Sequence, residues 1–450
     1  LYASGGSEIV FPVATSYADG SSGSNEVLEA TGSGSRIDLR ALETFNGYSS
    51  TPIRALDGGW IGLSGAFTSW TSWTLSGSGS AFDVSGVTSL SGAIVSVSDG
   101  LVLTFPAATT LSEVNLYASG GSEIVFPVAT SYADGSSGSN EVLEATGSGS
   151  RIDLRALETF NGYSSTPIRA LDGGWIGLSG AFTSWTSWTL SGSGSAFDVS
   201  GVTSLSGAAM SLGAGHALEW TSATTLTLVS VVASGGASVS FPAADLLTDV
   251  SLYASGGSEI VFPVATSYAD GSSGSNEVLE ATGSGSRIDL RALETFNGYS
   301  STPIRALDGG WIGLSGAFTS WTSWTLSGSG SAFDVSGVTS LSGAIVSVSD
   351  GLVLTFPAAT TLSEVNLYAS GGSEIVFPVA TSYADGSSGS NEVLEATGSG
   401  SRIDLRALET FNGYSSTPIR ALDGGWIGLS GEFSSSTSWT LSGAGSAFDV

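Results

Sequence analysis

The sequence contains no cysteine and no lysine. Without cysteine the chain has neither disulfide bonds nor thiolate ligands for a metal. Without lysine it cannot form the Lys–Asn isopeptide cross-links that stabilise many surface fibres, because all 12 of its basic side chains are arginine. Its stability must therefore come from packing, hydrogen bonds and ion pairs.

Long apolar runs and excess positive charge are also absent. No apolar run reaches the roughly 18 residues that a membrane-spanning helix needs, so we expect no membrane span. The net charge is −28, which argues against nucleic acid as a partner because phosphates require a basic face. The acidic surface suits a solvated protein or one that gathers divalent cations.

What the chain does contain is repetition. The segment LYASGGSEIVFPVATSYADGSSGSNEVLEATGSGSRIDLRALETF begins at Leu1, Leu116, Leu252 and Leu367, at spacings of 115, 136 and 115 residues. We expect one continuous β-solenoid over residues 1–450, built from four tandem units of which the last is incomplete: 1–115, 116–251, 252–366 and 367–450.

A shorter period lies inside each unit. Taking Ile9 as an anchor, equivalent apolar positions recur at steps of 28, 24, 21, 21 and 21 residues before the pattern restarts at Ile124. A base period of 21 residues with occasional insertions is typical of a solenoid, and counting anchors to Phe448 predicts about 20 rungs.

Each rung has the pattern of short β-strands. Apolar residues alternate with polar ones at the ends of the stretch from Leu103 to Ala118, as in strands, and step by three in its middle, as at a bend. Pro106 and the Thr and Gly content argue against a helix, and Gly120 with Gly121 supplies a turn. We therefore predict an all-β fold, a parallel β-helix.

Two stretches carry a resemblance to a known group of proteins. The motifs GSGSAFDVSGVTSL at 77–90 and VLTFPAATTL at 102–111 resemble the rungs of bacterial extracellular β-solenoids, which include autotransporter passengers and giant surface adhesins. The resemblance covers the whole chain. It implies a right-handed coil and a location outside the cell or on its surface.

One loop has the oxygen ligands of a calcium site. Within DGSSGSNE, the side chains of Asp19, Asn25 and Glu26 offer oxygens at a spacing that Ca²⁺ could use. The loop has fewer acids than an established calcium loop, so a solvated Gly-Ser excursion is the competing interpretation. It recurs after Tyr132, Tyr268 and Tyr383, and we expect the four loops on one edge.

Tryptophan also recurs in register. Trp73 aligns with inward positions and is predicted to lie in the core. Trp60 shares an outward column with Glu8 and Arg36, which we expect to pair across neighbouring rungs. An outward column of this kind can contact glycan or a neighbouring rod, or can lie under the Arg36 guanidinium: Trp60, Trp175, Trp311 and Trp426.

Catalytic constellations are weak. His216 is the only histidine and stands in a Gly-rich turn of an extra rung in the second unit, where a surface role is more common than catalysis. Asp38 and Glu43 resemble a glycosidase pair, but Arg40 between them favours an ion pair. We expect no enzyme and no obligatory cofactor, with Ca²⁺ as the one candidate ion.

Two classes of function follow. The first is an extracellular structural protein, such as a rod, filament, sheath or adhesin stalk, that self-associates into fibres or continues covalently in a longer chain. The second is an adhesin module that binds glycan or another surface ligand through outward Trp and Ser/Thr columns. Near-identity between units favours the first, because length changes readily when whole units duplicate.

Overall fold

The computed structural model describes most of the chain and resolves into two compact units, Leu1–Ala223 and Thr224–Val450. The residues described are 1–20, 26–48, 51–135, 141–163, 166–271, 277–299, 302–386, 392–413, 417–434 and 436–450.

The fold is all-β and confirms the predicted class. It is a parallel β-solenoid of about 18 turns with a period of about 22 residues, close to the expected 20 rungs and base period of 21. The loop insertions account for the longer mean period. Where the chain is described, no helix is long and apolar enough to cross a membrane.

Each turn of the solenoid carries strands on three faces. Face A holds the anchor residues, as in Arg36–Leu39. Face B follows after a bend, as in Thr44–Asn46, and face C completes the turn, as in Thr51–Leu56. Face A strands pair in parallel with the same register in successive rungs, so that Ile37 lies between Ile9 and Ile61. The anchor columns predicted from the sequence are confirmed.

In the compact unit Leu1–Ala223, four long strands run on from face A to face B: Trp60–Phe67, Ala81–Ser91, Trp175–Phe182 and Ala196–Ser206. The other strands of face A are Glu8–Val10, Arg36–Leu39, Val102–Thr104, Glu123–Val125, Arg151–Leu154 and Ala217–Glu219. Face B adds Ser16–Ala18, Thr44–Asn46, Thr110–Ser112, Ser131–Ala133 and Thr159–Asn161. Face C comprises Tyr2–Ser4, Leu28–Thr31, Thr51–Leu56, Thr71–Ser76, Ala93–Val97, Asn115–Ser119, Leu143–Thr146, Thr166–Leu171, Thr186–Ser191 and Ala208–Leu212.

The compact unit Thr224–Val450 has the same three faces. Its strands Thr225–Ala233 and Leu246–Ser255 run from face B to face C. Face A comprises Ser238–Ser240, Glu259–Val261, Arg287–Leu290, Trp311–Phe318, Ala332–Ser342, Val353–Thr355, Glu374–Val376, Arg402–Leu405, Trp426–Leu429 and Ala447–Asp449. Face B comprises Ser267–Ala269, Thr295–Asn297, Thr361–Ser363, Ser382–Ala384, Thr410–Asn412 and Glu432–Phe433. Face C adds Leu279–Thr282, Thr302–Leu307, Thr322–Ser327, Ala344–Val348, Asn366–Ser370, Leu394–Thr397, Thr417–Leu422 and Thr437–Ser442.

The core consists of side chains stacked in columns. On face B of the first unit, the rings of Tyr17 and Phe45 stack at 4.4 Å, and those of Phe45 and Phe67 at 4.7 Å. Trp73 on face C is fully buried, as predicted, and its indole Nε1 donates to Thr71 Oγ1 at 2.8 Å. Because like residues meet like residues in successive rungs, each rung makes its core contacts with its immediate neighbours.

Serines and glycines form the turn between faces C and A. Gly34 adopts φ of 80°, a left-handed conformation that glycine adopts without strain. The hydroxyl of Ser35, one residue on, accepts a hydrogen bond from the backbone N–H of Gly6 in the preceding rung at 3.1 Å. The Gly-Ser content is therefore a structural part of these turns and not a sign of disorder.

Candidate functional site

The acidic residues of the predicted calcium loop lie where faces B and C meet. Asp19 directly follows the face B strand Ser16–Ala18, and Glu26 lies two residues before the face C strand Leu28–Thr31. The backbone N–H of Glu26 donates to Asp19 Oδ2 at 3.1 Å, so the structure brings the two acids together. Asn25 and its copies Asn140, Asn276 and Asn391 lie outside the described residues.

We call the four tandem copies that begin at Leu1, Leu116, Leu252 and Leu367 the first to fourth repeats. The third repeat shows how the aspartate of this loop is held. Asp270 is 4% exposed. Its Oδ2 accepts from Thr302 Oγ1 at 2.5 Å and from the backbone N–H of Glu277 at 3.3 Å. Its Oδ1 is buried with no hydrogen-bond partner, as is Oε2 of Glu277. The carboxylate is thus fixed in orientation by one oxygen, and the other oxygen is free to bind a ligand.

A third acid, not predicted from the sequence, comes from the preceding rung. Asp249 lies at the corner before the face C part of Leu246–Ser255 and has φ of 52°. One carboxylate oxygen each of Asp249, Asp270 and Glu277 lie within 4.8 Å of one another. The equivalent corner acids of the second and fourth repeats, Glu113 and Glu364, also have positive φ, 54° in both.

A glycine makes room for the corner acid. Gly271 donates its backbone N–H to Asp249 Oδ1, and a Cβ at this glycine would lie 2.8 Å from that oxygen. At Gly135 a Cβ would lie 1.7 Å from Glu113 Oε1. Any other residue after the aspartate would push the corner acid away, which explains why the loop begins with Asp-Gly.

The electrostatics of the cluster oppose full ionisation. Burial, together with the charges of Asp270 and Asp249, raises the pKa of Glu277 to about 7. Burial and the neighbouring Asp134 raise the pKa of Glu141 to about 8. Three carboxyl groups therefore face one another with too little positive charge around them.

The column of Trp60 is covered by arginine. The Arg36 guanidinium carbon lies 3.9 Å from the centroid of the Trp60 ring, and that of Arg40 lies 5.3 Å away. Arg36 Nε lies 3.1 Å from Glu8 Oε1, so the pairing predicted between rungs is confirmed. The same stacking occurs at the equivalent residues Trp175, Trp311 and Trp426. In this structure the Trp60 ring is stacked against arginine guanidinium groups.

More open aromatic side chains lie at the corner between faces B and C. Trp185 is 51% exposed and Tyr163 is 39% exposed. The two are neighbours, because Thr166 donates its backbone N–H to the Trp185 carbonyl and its Oγ1 accepts from the Tyr163 N–H. Trp185 is the copy of Trp70 in the second repeat, and the sequence alone does not indicate a role for either. In the third repeat, Tyr299 and Trp321 are exposed at the equivalent positions.

The remaining polar groupings make structural contacts. Arg40 lies 2.8 Å from Asp38 and 3.0 Å from Asp83, which agrees with the ion pair favoured from the sequence. The ring nitrogens of His216 lie 3.0 Å from the Gly213 carbonyl oxygen and 2.9 Å from that of Gly192, so the imidazole joins two turns.

Comparison of the chain with family models, with curated proteins and with solved structures finds no match.

Proposed function

We propose that this chain is an extracellular structural repeat protein whose units form a rigid rod, filament, sheath or adhesin stalk. The observation that carries the proposal is the recurrence of the same contacts between rungs in every repeat. The Arg–Glu pair of face A measures 3.1, 3.3, 3.2 and 3.2 Å in the four repeats. A protein selected for length needs such contacts in each unit, whereas a catalyst needs its side chains once.

The outward side of face A supports this assignment. Arg36 pairs with Glu8 of the preceding rung, donates to Asp38 of its own rung and stacks on the Trp60 ring of the next, so its charge links neighbouring rungs. Exposed ion pairs of this kind contribute about 0–1 kcal/mol each, and their value lies in fixing register and keeping the surface soluble. Repetition along the chain gives a stiff element whose length is set by the number of rungs.

Removing one repeat tests the proposal. Deleting residues 252–366 takes out five rungs and keeps the register, because Ser251 then precedes Leu367, the first residue of the next copy of the repeat. At about 4.8 Å per rung, small-angle X-ray scattering should show a maximum dimension shorter by about 24 Å, with the thermal midpoint nearly unchanged. An unchanged dimension would contradict the rod. Antibody labelling of intact source cells tests the extracellular location.

A second candidate function is glycan binding, and a specific observation favours it. Trp185 and Tyr163 are both exposed at this corner, where Ser184 Oγ donates to the Gly162 carbonyl oxygen at 2.6 Å. Aromatic rings with open faces stack on sugars. Saturable binding of soluble polysaccharides that is lost in W185A/W321A and kept in W175A would support this function.

A further inference from the structure

At the corner between faces B and C, an acid of one rung stands near the two loop acids of the next in the second, third and fourth repeats, and among the described residues the third repeat brings all three together. In the third repeat, Asp249 of one rung meets Asp270 and Glu277 of the next, with their carboxylate oxygens within 4.8 Å of one another. Two oxygens on opposite sides of a Ca²⁺ ion, each at 2.3–2.6 Å, are about 5 Å apart. The spacing of the three side chains therefore fits within one coordination sphere.

The buried oxygens supply the independent sign of a ligand. Glu141 is 1% exposed and Glu392 is 2% exposed, and the Oε2 atom of each has no hydrogen-bond partner. Oδ1 of Asp134 and of Asp385 is equally buried and unpartnered. A buried carboxylate oxygen without a donor or cation destabilises the folded state. In the described structure, the protein group that reaches these oxygens is the other carboxyl group of the same pair, which can share a proton with them but brings no positive charge. The arrangement recurs in three repeats.

The surroundings suit a hard cation. The donors are carboxylate oxygens, which hard cations prefer. Thr302 already holds Asp270 Oδ2, which orients Oδ1 before an ion arrives. Tyr268 lies on the adjacent face B strand, but its hydroxyl donates its hydrogen bond to the Val250 carbonyl oxygen at 2.8 Å and not to the acids.

We propose that Asp249, Asp270 and Glu277 bind one calcium ion between two successive rungs. The equivalent triads bind one ion each: Glu113, Asp134 and Glu141 in the second repeat, and Glu364, Asp385 and Glu392 in the fourth. Water completes the six to eight oxygens that Ca²⁺ takes. Each ion joins the corner acid of one rung to the loop acids of the next, and so clamps neighbouring rungs together.

The first repeat has Asp19 and Glu26 in the same places, and Asp19 Oδ1 is again unpartnered. Its corner position, 21 residues before Asp19, lies ahead of the first residue of the sequence. The complete triads of this chain are therefore the three of the second, third and fourth repeats.

Calcium titration of the EDTA-treated, dialysed full chain tests the proposal. Isothermal titration calorimetry should give about three tight sites, two in D270N and none in D134N/D270N/D385N. D245N is the matched control, because Asp245 is an exposed carboxylate in the same rung as the corner acid Asp249, and it should keep three sites. Far-UV circular dichroism of each variant shows whether it has folded.

Terbium luminescence gives a second measurement. Tb³⁺ excited through the buried tyrosines next to the loop aspartates, Tyr132, Tyr268 and Tyr383, should emit strongly and be displaced by CaCl₂, with one third of the signal lost in D270N. Three outcomes would overturn the proposal: no calcium heat in the folded wild type, an unchanged stoichiometry in folded D270N, or displacement by MgCl₂ at the same concentration as by CaCl₂.

Discussion

Replacing Phe105 with alanine should damage the solenoid locally. The ring is fully buried on face A, stacks on Phe126 at 4.6 Å with an interplanar angle of 1°, and meets the Trp73 ring edge-on at 6.0 Å. Removing a buried phenylalanine side chain costs about 3–5 kcal/mol, which includes the cavity that remains. The ring contacts with Phe126 and Trp73 place F105A towards the upper end of this range, because aromatic pairs add about 0.5–1.5 kcal/mol each.

The loss should be confined to a few rungs, because in a solenoid each rung contacts only its neighbours. Hydrogen exchange followed by mass spectrometry measures this for each peptide. A cost of about 3–5 kcal/mol raises the local opening constant by roughly two to four orders of magnitude. We expect that increase in the strands Val102–Thr104 and Glu123–Val125, and little change at Tyr2–Ser4 in the same unit.

Val102 provides the control. It lies three residues before Phe105, in the strand Val102–Thr104, but is 61% exposed. V102A should therefore leave exchange rates within about twofold of the wild type, since exposed substitutions change stability by about 0.5 kcal/mol or less. The reasoning would be refuted if F105A accelerated exchange equally in every peptide of Leu1–Ala223, because the unit would then unfold as one cooperative body.

Two further predictions concern backbone approach and pH. A Cβ at Gly59 would lie 2.0 Å from the Ala30 carbonyl oxygen, so G59A should cost about 1–3 kcal/mol or more in a urea titration, while G20A, with nothing within 4 Å, should cost little. Hydrogen bonds from Arg40, and then from Arg36, hold the pKa of Asp38 well below its usual range. Because the folded pKa is the lower one, this stabilisation is present above about pH 4 and is lost as the pH falls further. D38N/D153N/D289N/D404N should therefore melt below the wild type at pH 7, with a difference that shrinks towards pH 2; a constant difference would contradict the assignment.

The fold was predictable because its signals lie within single rungs. The spacing of the anchors placed Ile9, Ile37 and Ile61 in one column, and the structure confirms this register. The same alignment predicted the buried Trp73 and the Glu8–Arg36 pair. In a parallel stack, residues one period apart lie side by side in neighbouring rungs. A correct period therefore identifies the neighbour of each residue in a column.

The candidate site was only half predictable. Asp19 and Glu26 were recognisable as acids in one loop, and the structure joins them through the Glu26 N–H. The corner acid was not recognisable, because Glu113 reads as an outward residue between Leu111 and Val114. Only the backbone shows that its φ is 54°, which turns its side chain towards Gly135 of the next rung. Local sequence patterns do not report such a left-handed residue outside glycine.

The third repeat shows that duplication of one sequence does not account for the corner acid. The rung before it differs in sequence from the rungs before the second and fourth repeats, and it carries Asp249 where they carry glutamate. The shorter side chain still reaches the glycine after the aspartate, by accepting its N–H, and still completes a cluster with Asp270 and Glu277. Two different rungs thus place a carboxylate 21 residues before the same aspartate, at a backbone conformation that costs about 1 kcal/mol or more outside glycine. The left-handed corner also occurs without charge, at Leu228 one rung before Asp249, where φ is 55°, so the backbone conformation alone does not require an acid. What favours a cation is that both kinds of rung that precede an Asp-Gly loop carry a carboxylate at this corner, next to the two loop acids.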